Sequence, residues 1–279
     1  MHRLLTGPLT TERITVAIAD LPPHLQGTTL VQLTDFHYDG VRISEKLLAE
    51  AIEASNRANP DLVLLTGDFV TDDPSPVRTL AQHLKQLRSR LGTYAVLGNH
   101  DLQRPTSKTE VSTALTQVGI RVLWNQIDYP LGEDFPLVGL ADFWSREFNP
   151  ASVMDGLDTN LPRIVLSHNP DTAAHLQKWR VDLQLSGHTH GGQIVLPKLG
   201  TPVSWIGNLR KNVPRFIQQG IPFLRANCYR VVRHWEWARG LHSVGQNLLY
   251  VNRGLGTYPP GRLFCPPEVT VLKLICANR

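Results

Sequence analysis

Five times along the chain a short apolar run stops in a cluster of Asp, Asn, His and Gly. The clusters read Thr34-Asp35-Phe36-His37, Gly67-Asp68, Gly98-Asn99-His100-Asp101, Ser167-His168-Asn169 and Gly187-His188-Thr189-His190-Gly191-Gly192. The runs are short and rich in β-branched residues, as buried strands are. Strands are expected at 29–33, 62–65, 94–97, 122–124, 137–140, 164–166, 183–185 and 193–196, and late in the chain at 248–252 and 269–275. Between the first two, Ser44 can cap a helix that places Leu47, Leu48, Ala51 and Ile52 on one face. Residues 77–91 repeat the pattern with Leu80, Leu84 and Leu87, and 170–179 read as a third helix. Strand, helix, strand, helix, strand implies an α/β fold. In open α/β sheets, ligands bind just past the carboxyl ends of the strands. Five polar clusters far apart in sequence can therefore converge on one crevice.

The chain is long enough, at 279 residues, to bury a large core. With 42% hydrophobic and 19% charged residues it is no disordered or fibrous chain. No repeat, low-complexity tract or linker divides it, so one domain over 1–279 is expected. No stretch approaches the roughly 20 apolar residues of a membrane span. The first residues lack a signal core, and a cytoplasmic location is expected. Cys228, Cys265 and Cys276 make no disulfide framework.

Of the 11 His, His37, His100, His168, His188 and His190 sit in the clusters beside Asp35, Asp68 and Asn99. Neutral imidazole and carboxylate suit borderline divalent ions such as Mn, Fe, Co, Ni or Zn. In Asp35-x-His37 and His188-x-His190 the side chains would alternate in a regular strand, but at its irregular end both can face one ion. Charge counting points to two ions. They bring four positive charges; Asp35 and Asp68 bring two negative ones and a bridging hydroxide a third. The residual positive charge suits a phosphoryl oxygen. His2, His24, His83, His175, His234 and His242 lack such context and read as structural or solvated. Asp39 and Asn169 read as turn residues, Asp72 and Asp73 as solvated, and Asp142 as a strand-end acid without a His or Asn partner.

The string D-x-H, GD, GNHD, H, GHxH over Asp35 to His190 resembles that of the calcineurin-like metallophosphoesterases. Residues 168–171 (HNPD), 186–193 (SGHTHGGQ) and the tail NRGLGTYPPGRLFCPPEVTVLKL resemble a bacterial phosphodiesterase subgroup that includes YaeI and YkuE. The resemblance implies a four-layer α/β/β/α sandwich of two mixed sheets. It implies that Asp35, His37, Asp68 and His190 hold one metal. Asp68 would bridge to a second, completed by Asn99, His168 and His188. His100 would be the non-ligand imidazole at the phosphoryl group, and Asp101 would orient it. An Arg in the tail would lie near the active-site rim, which makes Arg262 a candidate and Arg253 a weaker one.

The segment 198–240 holds Lys198, Arg210, Lys211, Arg215, Arg225, Arg230, Arg233 and Arg239 against one acid, Glu236. Trp205, Phe216, Phe223, Trp235 and Trp237 are interleaved. Such a mixture suits an anionic membrane surface, and the segment is expected as an insertion or lid beside the metals. Nucleic acid is not the expected partner, since no added contacting domain is visible.

The expected function is a dinuclear metal-dependent phosphoesterase cutting a phosphodiester or pyrophosphate bond by attack of a metal-bridging hydroxide. The protein Ser/Thr phosphatase branch carries GDxVDRG and GNHE, whereas this chain has GDFVTDD and GNHD. A lipid-linked substrate fits better, since related family members cleave UDP-2,3-diacylglucosamine. The alternative is a catalytically silent scaffold on this fold, binding a partner through 198–240.

Overall fold

A computed structural model describes residues 6–203, 205 and 231–277. Strands β1 (Thr10–Ile18), β2 (Thr29–Leu33), β3 (Leu62–Leu65), β4 (Thr93–Ala95), β5 (Ile120–Val122) and β12 (Glu268–Cys276) form the first sheet, in the order β1-β12-β2-β3-β4-β5. β2 to β5 run parallel, while β12 is antiparallel to β2 and parallel to β1. The second sheet joins β6 (Gln126–Asp128), β7 (Leu137–Gly139), β8 (Ile164–Leu166), β9 (Leu183–Ser186), β10 (Gly240–Val244) and β11 (Asn247–Val251), in the order β10-β11-β9-β8-β7-β6. Its four central strands are parallel, and β6 and β10 are antiparallel edges.

The side-chain alternation of strands turns these sheets into layers. In the first sheet Val31, Leu33, Val63, Leu65 and Ala95 face one way, into a core shared with three helices. These are α1 (Glu45–Arg57), α2 (Val77–Leu84) and α3 (Ser107–Gln117). Leu30, Leu62, Leu64 and Tyr94 face the other way and pack against Leu137, Ile164, Leu166, Leu183 and Leu185 of the second sheet. The outer face of that sheet buries Val138 and Val165 against α4 (Ala151–Met154) and α5 (Thr172–Leu176). The result is the expected α/β/β/α order. Continuous burial of β3 and β8 follows, because both faces of a central sheet are covered.

Ser44 caps α1 as expected, accepting the Leu47 N–H at 3.2 Å. Elsewhere boundaries shift. The 77–91 helix stops at Leu84, and the N–H groups of Gln86 and Leu87 close tight turns onto His83 and Leu84. The 170–179 helix covers only Thr172–Leu176, and the 122–124 strand lies at Ile120–Val122. The 193–196 strand is absent: Gln193 takes φ 55°, and the segment makes only isolated bridges through Ile194 to Leu263 and Leu196 to Gly200. β1, α3, β6 and β10 were not expected; β1, β6 and β10 are half-exposed edges without a strong apolar pattern. Among the described residues no helix is long and apolar enough to cross a membrane.

Candidate metal centre

The carboxyl ends of β2, β3, β4, β8 and β9 all meet at one edge of the sandwich. The chain leaves the sheet there through strained backbone. Asp35, His37, Asp68, His188 and His190 all have positive φ, between 43° and 70°. This conformation is uncommon for residues other than Gly. It breaks the strand alternation, so Asp35 and His37 turn to the same side. Backbone crowding is part of the construction. A Cβ on Gly98 would lie 2.2 Å from Asp68 Oδ1, and one on Gly187 would lie 2.3 Å from Asp35 Oδ2. Only Gly admits the two carboxylates at those positions.

Three overlapping candidate groups result, Asp35–His37–His190, His37–Asp68–His100 and Asp68–His168–His188, with the possible ligand atoms of each within 4.8 Å of one another. Asp68 reaches to either side: its Oδ2 lies 3.5 Å from His37 Nε2 and 3.0 Å from His168 Nε2. His190 Nε2 lies 3.4 Å from Asp35 Oδ1 and 3.1 Å from His37 Nε2.

The outer hydrogen bonds favour a cation. His168 Nδ1 lies 2.7 Å from Thr66 O, and His188 Nε2 lies 3.0 Å from Val231 O. A carbonyl only accepts, so both of these nitrogens donate. In the neutral rings the remaining nitrogens present lone pairs, and they face each other at 3.2 Å. Two lone pairs at that distance repel unless a proton or a metal ion lies between them. His190 is held likewise, with Nδ1 3.1 Å from Gly256 O. Asn99 adds a buried Oδ1 with no hydrogen-bond partner. An orphaned buried acceptor calls for a partner such as a cation. The donor set therefore fits two divalent ions.

Ionisation follows from burial and charge. Burial lowers His37 and His188 to about 3 and takes His190 well below the ordinary value, so all three are neutral at pH 7, as metal ligation requires. Burial raises Asp35 to about 6. Burial also opposes charge on Asp68 and His168, but each stabilises the other. The Asp68 carboxyl falls well below its usual range, and His168 rises to about 10.

His100 projects from the turn after β4. Its N–H donates to Asp68 Oδ1 at 2.9 Å, and its Nδ1 lies 2.9 Å from Thr71 O. Asp101 does not orient it. Asp101 Oδ2 accepts the N–H groups of Asp68 and Gly98, and Oδ1 those of Phe69 and Val70. The carboxylate shapes the loop that carries Asp68. Burial and the Asp68 charge push its pKa up, while the backbone N–H groups pull it down.

Arg262 also departs from expectation. It is buried, and its guanidinium donates to the carbonyls of Arg253, Gly254, Gly256 and Cys265. With its donors spent on main chain, it braces the tail loop and does not grip phosphate. Arg253 is paired with Glu12 and Glu268. Asp39 accepts the N–H groups of Val41 and Arg42, and Asn169 that of Asp171, as turn residues do. Asp142 is buried, raised to about 6 by that burial, and accepts the Trp144 N–H at 2.9 Å.

Sequence patterns missed the cavity that opens on this cluster. Its volume is about 960 Å³, and its walls include Trp144, Ile194, Val203, Val231 and Trp235 beside Asp68, Asn99, His100, His188 and His190. Val203, Val231 and Trp235 fall within the 198–240 segment expected beside the metals, whereas Trp144 and Ile194 carry no spacing signal. Of the basic-aromatic segment, Arg210, Lys211, Arg215, Phe216, Phe223, Arg225 and Arg230 lie outside the described residues.

Comparison with known proteins agrees with this geometry. The calcineurin-like phosphoesterase family profile matches residues 28–192. The chain is 34% identical over 248 residues to Phosphodiesterase YaeI of Escherichia coli (strain K12), covering 87% of this chain and 80% of that protein. It is 30% identical to UDP-2,3-diacylglucosamine pyrophosphatase LpxG of Chlamydia trachomatis, covering 90% and 85%. It is 29% identical to the uncharacterized metallophosphoesterase YkuE of Bacillus subtilis (strain 168), covering 96% and 86%. The chain belongs to the calcineurin-like phosphoesterase family, hydrolases of phosphoester bonds that use a dinuclear divalent metal centre.

Proposed function

We propose that the protein hydrolyses a phosphodiester or pyrophosphate bond in a lipid-linked substrate, of the class that UDP-2,3-diacylglucosamine represents. The observation that carries this reading is the apolar cavity of about 960 Å³ opening directly on the candidate ligands. An acyl chain fills such walls favourably. The similarity to LpxG, a UDP-2,3-diacylglucosamine pyrophosphatase, supports the same class. A second hollow lined by Arg233 and Arg239 shares Trp235 with the cavity and suits an anionic headgroup. This reading goes with a cytoplasmic protein bound peripherally to the inner face of the membrane.

In this reading Asp35, His37 and His190 hold one ion, Asn99, His168 and His188 the other, and Asp68 bridges. Two such ions supply a water of lowered pKa and neutralise charge on the phosphoryl oxygens. In this reading His100, which lines the cavity and stands with His37 and Asp68, is not a ligand. Its Nδ1 donates to Thr71 O, so Nε2 is the nitrogen left to carry a proton to the leaving oxygen.

The test is hydrolysis of UDP-2,3-diacylglucosamine and of bis(p-nitrophenyl) phosphate by the full chain, with Mn²⁺ and with chelator. Trp144→Ala is expected to lower kcat/KM for the lipid and to spare the soluble diester. Cleavage of neither compound by metal-loaded protein, or equal loss on both, would sink the reading.

A further inference from the structure

Tyr258 lies in the tail loop braced by Arg262, within the stretch NRGLGTYPPGR. Its Oη sits 3.1 Å from His37 Nδ1. Its ring stands edge-on to His37 and to His190, with centroids 5.0 Å and 5.3 Å away. The Arg42 guanidinium lies over the ring, 4.4 Å from its centroid. The Tyr258 N–H donates to Gln193 Oε1 at 2.7 Å. The residue is thus clamped on several sides, yet it lines the cavity beside Asp68, Asn99 and His100. A side chain already ordered in this way loses little entropy when a ligand arrives.

The direction of its hydroxyl hydrogen follows from the neighbouring tautomers. His190 donates from Nδ1 to Gly256 O, so its Nε2 presents a lone pair. His37 Nε2 faces that lone pair at 3.1 Å and Asp68 Oδ2 at 3.5 Å. With both Nε2 atoms turned to a cation, the hydrogen of His37 resides on Nδ1. Tyr258 Oη then accepts from His37, and its own hydrogen must turn elsewhere. The open direction is the cavity, where the His100 ring lies 6.3 Å from that of Tyr258.

We propose that Tyr258 is a substrate-binding residue whose Oη–H donates to a phosphoryl oxygen of the bound ester, across the cavity from His100. The proposal rests on the phosphoesterase reading above. The contact with His37 ties the position of this donor to the ligand set, which suits a charge that develops at the phosphoryl group.

The experiment is Tyr258→Phe in the full chain, which removes one oxygen and keeps the ring under Arg42. Inorganic phosphate is titrated calorimetrically into wild-type and variant protein loaded with Mn²⁺, and Mn²⁺ affinity is measured separately. The expected result is phosphate binding weakened about ten-fold or more, the range for a hydrogen bond to a charged group. Because Oη accepts from His37 Nδ1–H, Mn²⁺ affinity is expected to fall as well, within the roughly 10–100-fold typical of losing an outer partner, so phosphate is titrated at Mn²⁺ concentrations that saturate both proteins. On bis(p-nitrophenyl) phosphate, kcat falls in parallel. Unchanged phosphate affinity at saturating Mn²⁺ overturns the proposal. Wild-type protein that holds two ions and binds no phosphate sinks the phosphoesterase reading, and the proposal with it.

Discussion

The carboxylate of Asp101 accepts the backbone N–H of Asp68 at 2.9 Å, so one acid holds the turn that presents the other. Four N–H groups converge on Asp101, two on each oxygen. The residue next to the catalytic candidate His100 is thus a positioning group for the Asp68 carboxylate.

Asp101→Asn is expected to destabilise the fold by about 2–4 kcal/mol. A carboxamide offers one acceptor oxygen, so at least two of the four donors lose a partner, at about 1–3 kcal/mol each. Urea unfolding of the metal-free protein measures this. A midpoint equal to wild type would show that the turn holds itself without the carboxylate.

Asp68→Asn removes the carboxylate that stands both with His37 and His100 and with His168 and His188. Metal content measured by elemental analysis is expected to drop below two ions per chain. Diesterase activity is expected to fall beyond the roughly 10–100-fold typical of an outer-sphere change. Full occupancy with full activity would remove Asp68 from the centre.

His100→Gln separates chemistry from metal binding. With Nδ1 held by Thr71 O, the imidazole acts through its other nitrogen. The variant is expected to keep both ions and lose about 10²–10⁴-fold in kcat. Loss confined to KM would argue for a binding role instead.

Arg262→Met tests the revised role of that residue. Its guanidinium satisfies carbonyls of Arg253, Gly254, Gly256 and Cys265. Stranding them is expected to lower the thermal midpoint by several degrees, consistent with a loss of about 3 kcal/mol or more. A stable variant with weakened phosphate binding would return Arg262 to the active-site rim.

His168 gives the pH dependence. Burial disfavours its charge, but Asp68 prevails and lifts its pKa from 6.5 to about 10 in the metal-free fold. The folded value lies above the unfolded one. Its contribution to stability is therefore complete below pH 6.5 and is lost as pH rises through about 10. A metal ion must displace the same proton. Mn²⁺ binding at pH 7.5 is expected to release a proton and to tighten as pH rises. Titration calorimetry in two buffers of different ionisation enthalpy reads the proton directly. A heat independent of buffer would count against it.

The candidate ligand set was legible because its pattern is local. Each cluster follows its strand directly, so Asp35, His37, Asp68, Asn99, His168, His188 and His190 announce themselves by type and spacing. The layered architecture was legible for the same reason, since the central strands are short, apolar and separated by helical patterns. Edge strands such as β1 were not, because a half-exposed strand carries mixed residues and is specified by its neighbour β12. The roles of Asp101, Arg262 and Tyr258 lay beyond sequence altogether. Asp101 meets Phe69 from 32 positions away, and Tyr258 meets His37 from 221. Their hydrogen-bond partners, and the apolar cavity beside them, exist only once the two sheets have packed. Sequence names the groups that can do the chemistry; tertiary packing decides which donors are spent on the backbone and which remain free for a substrate.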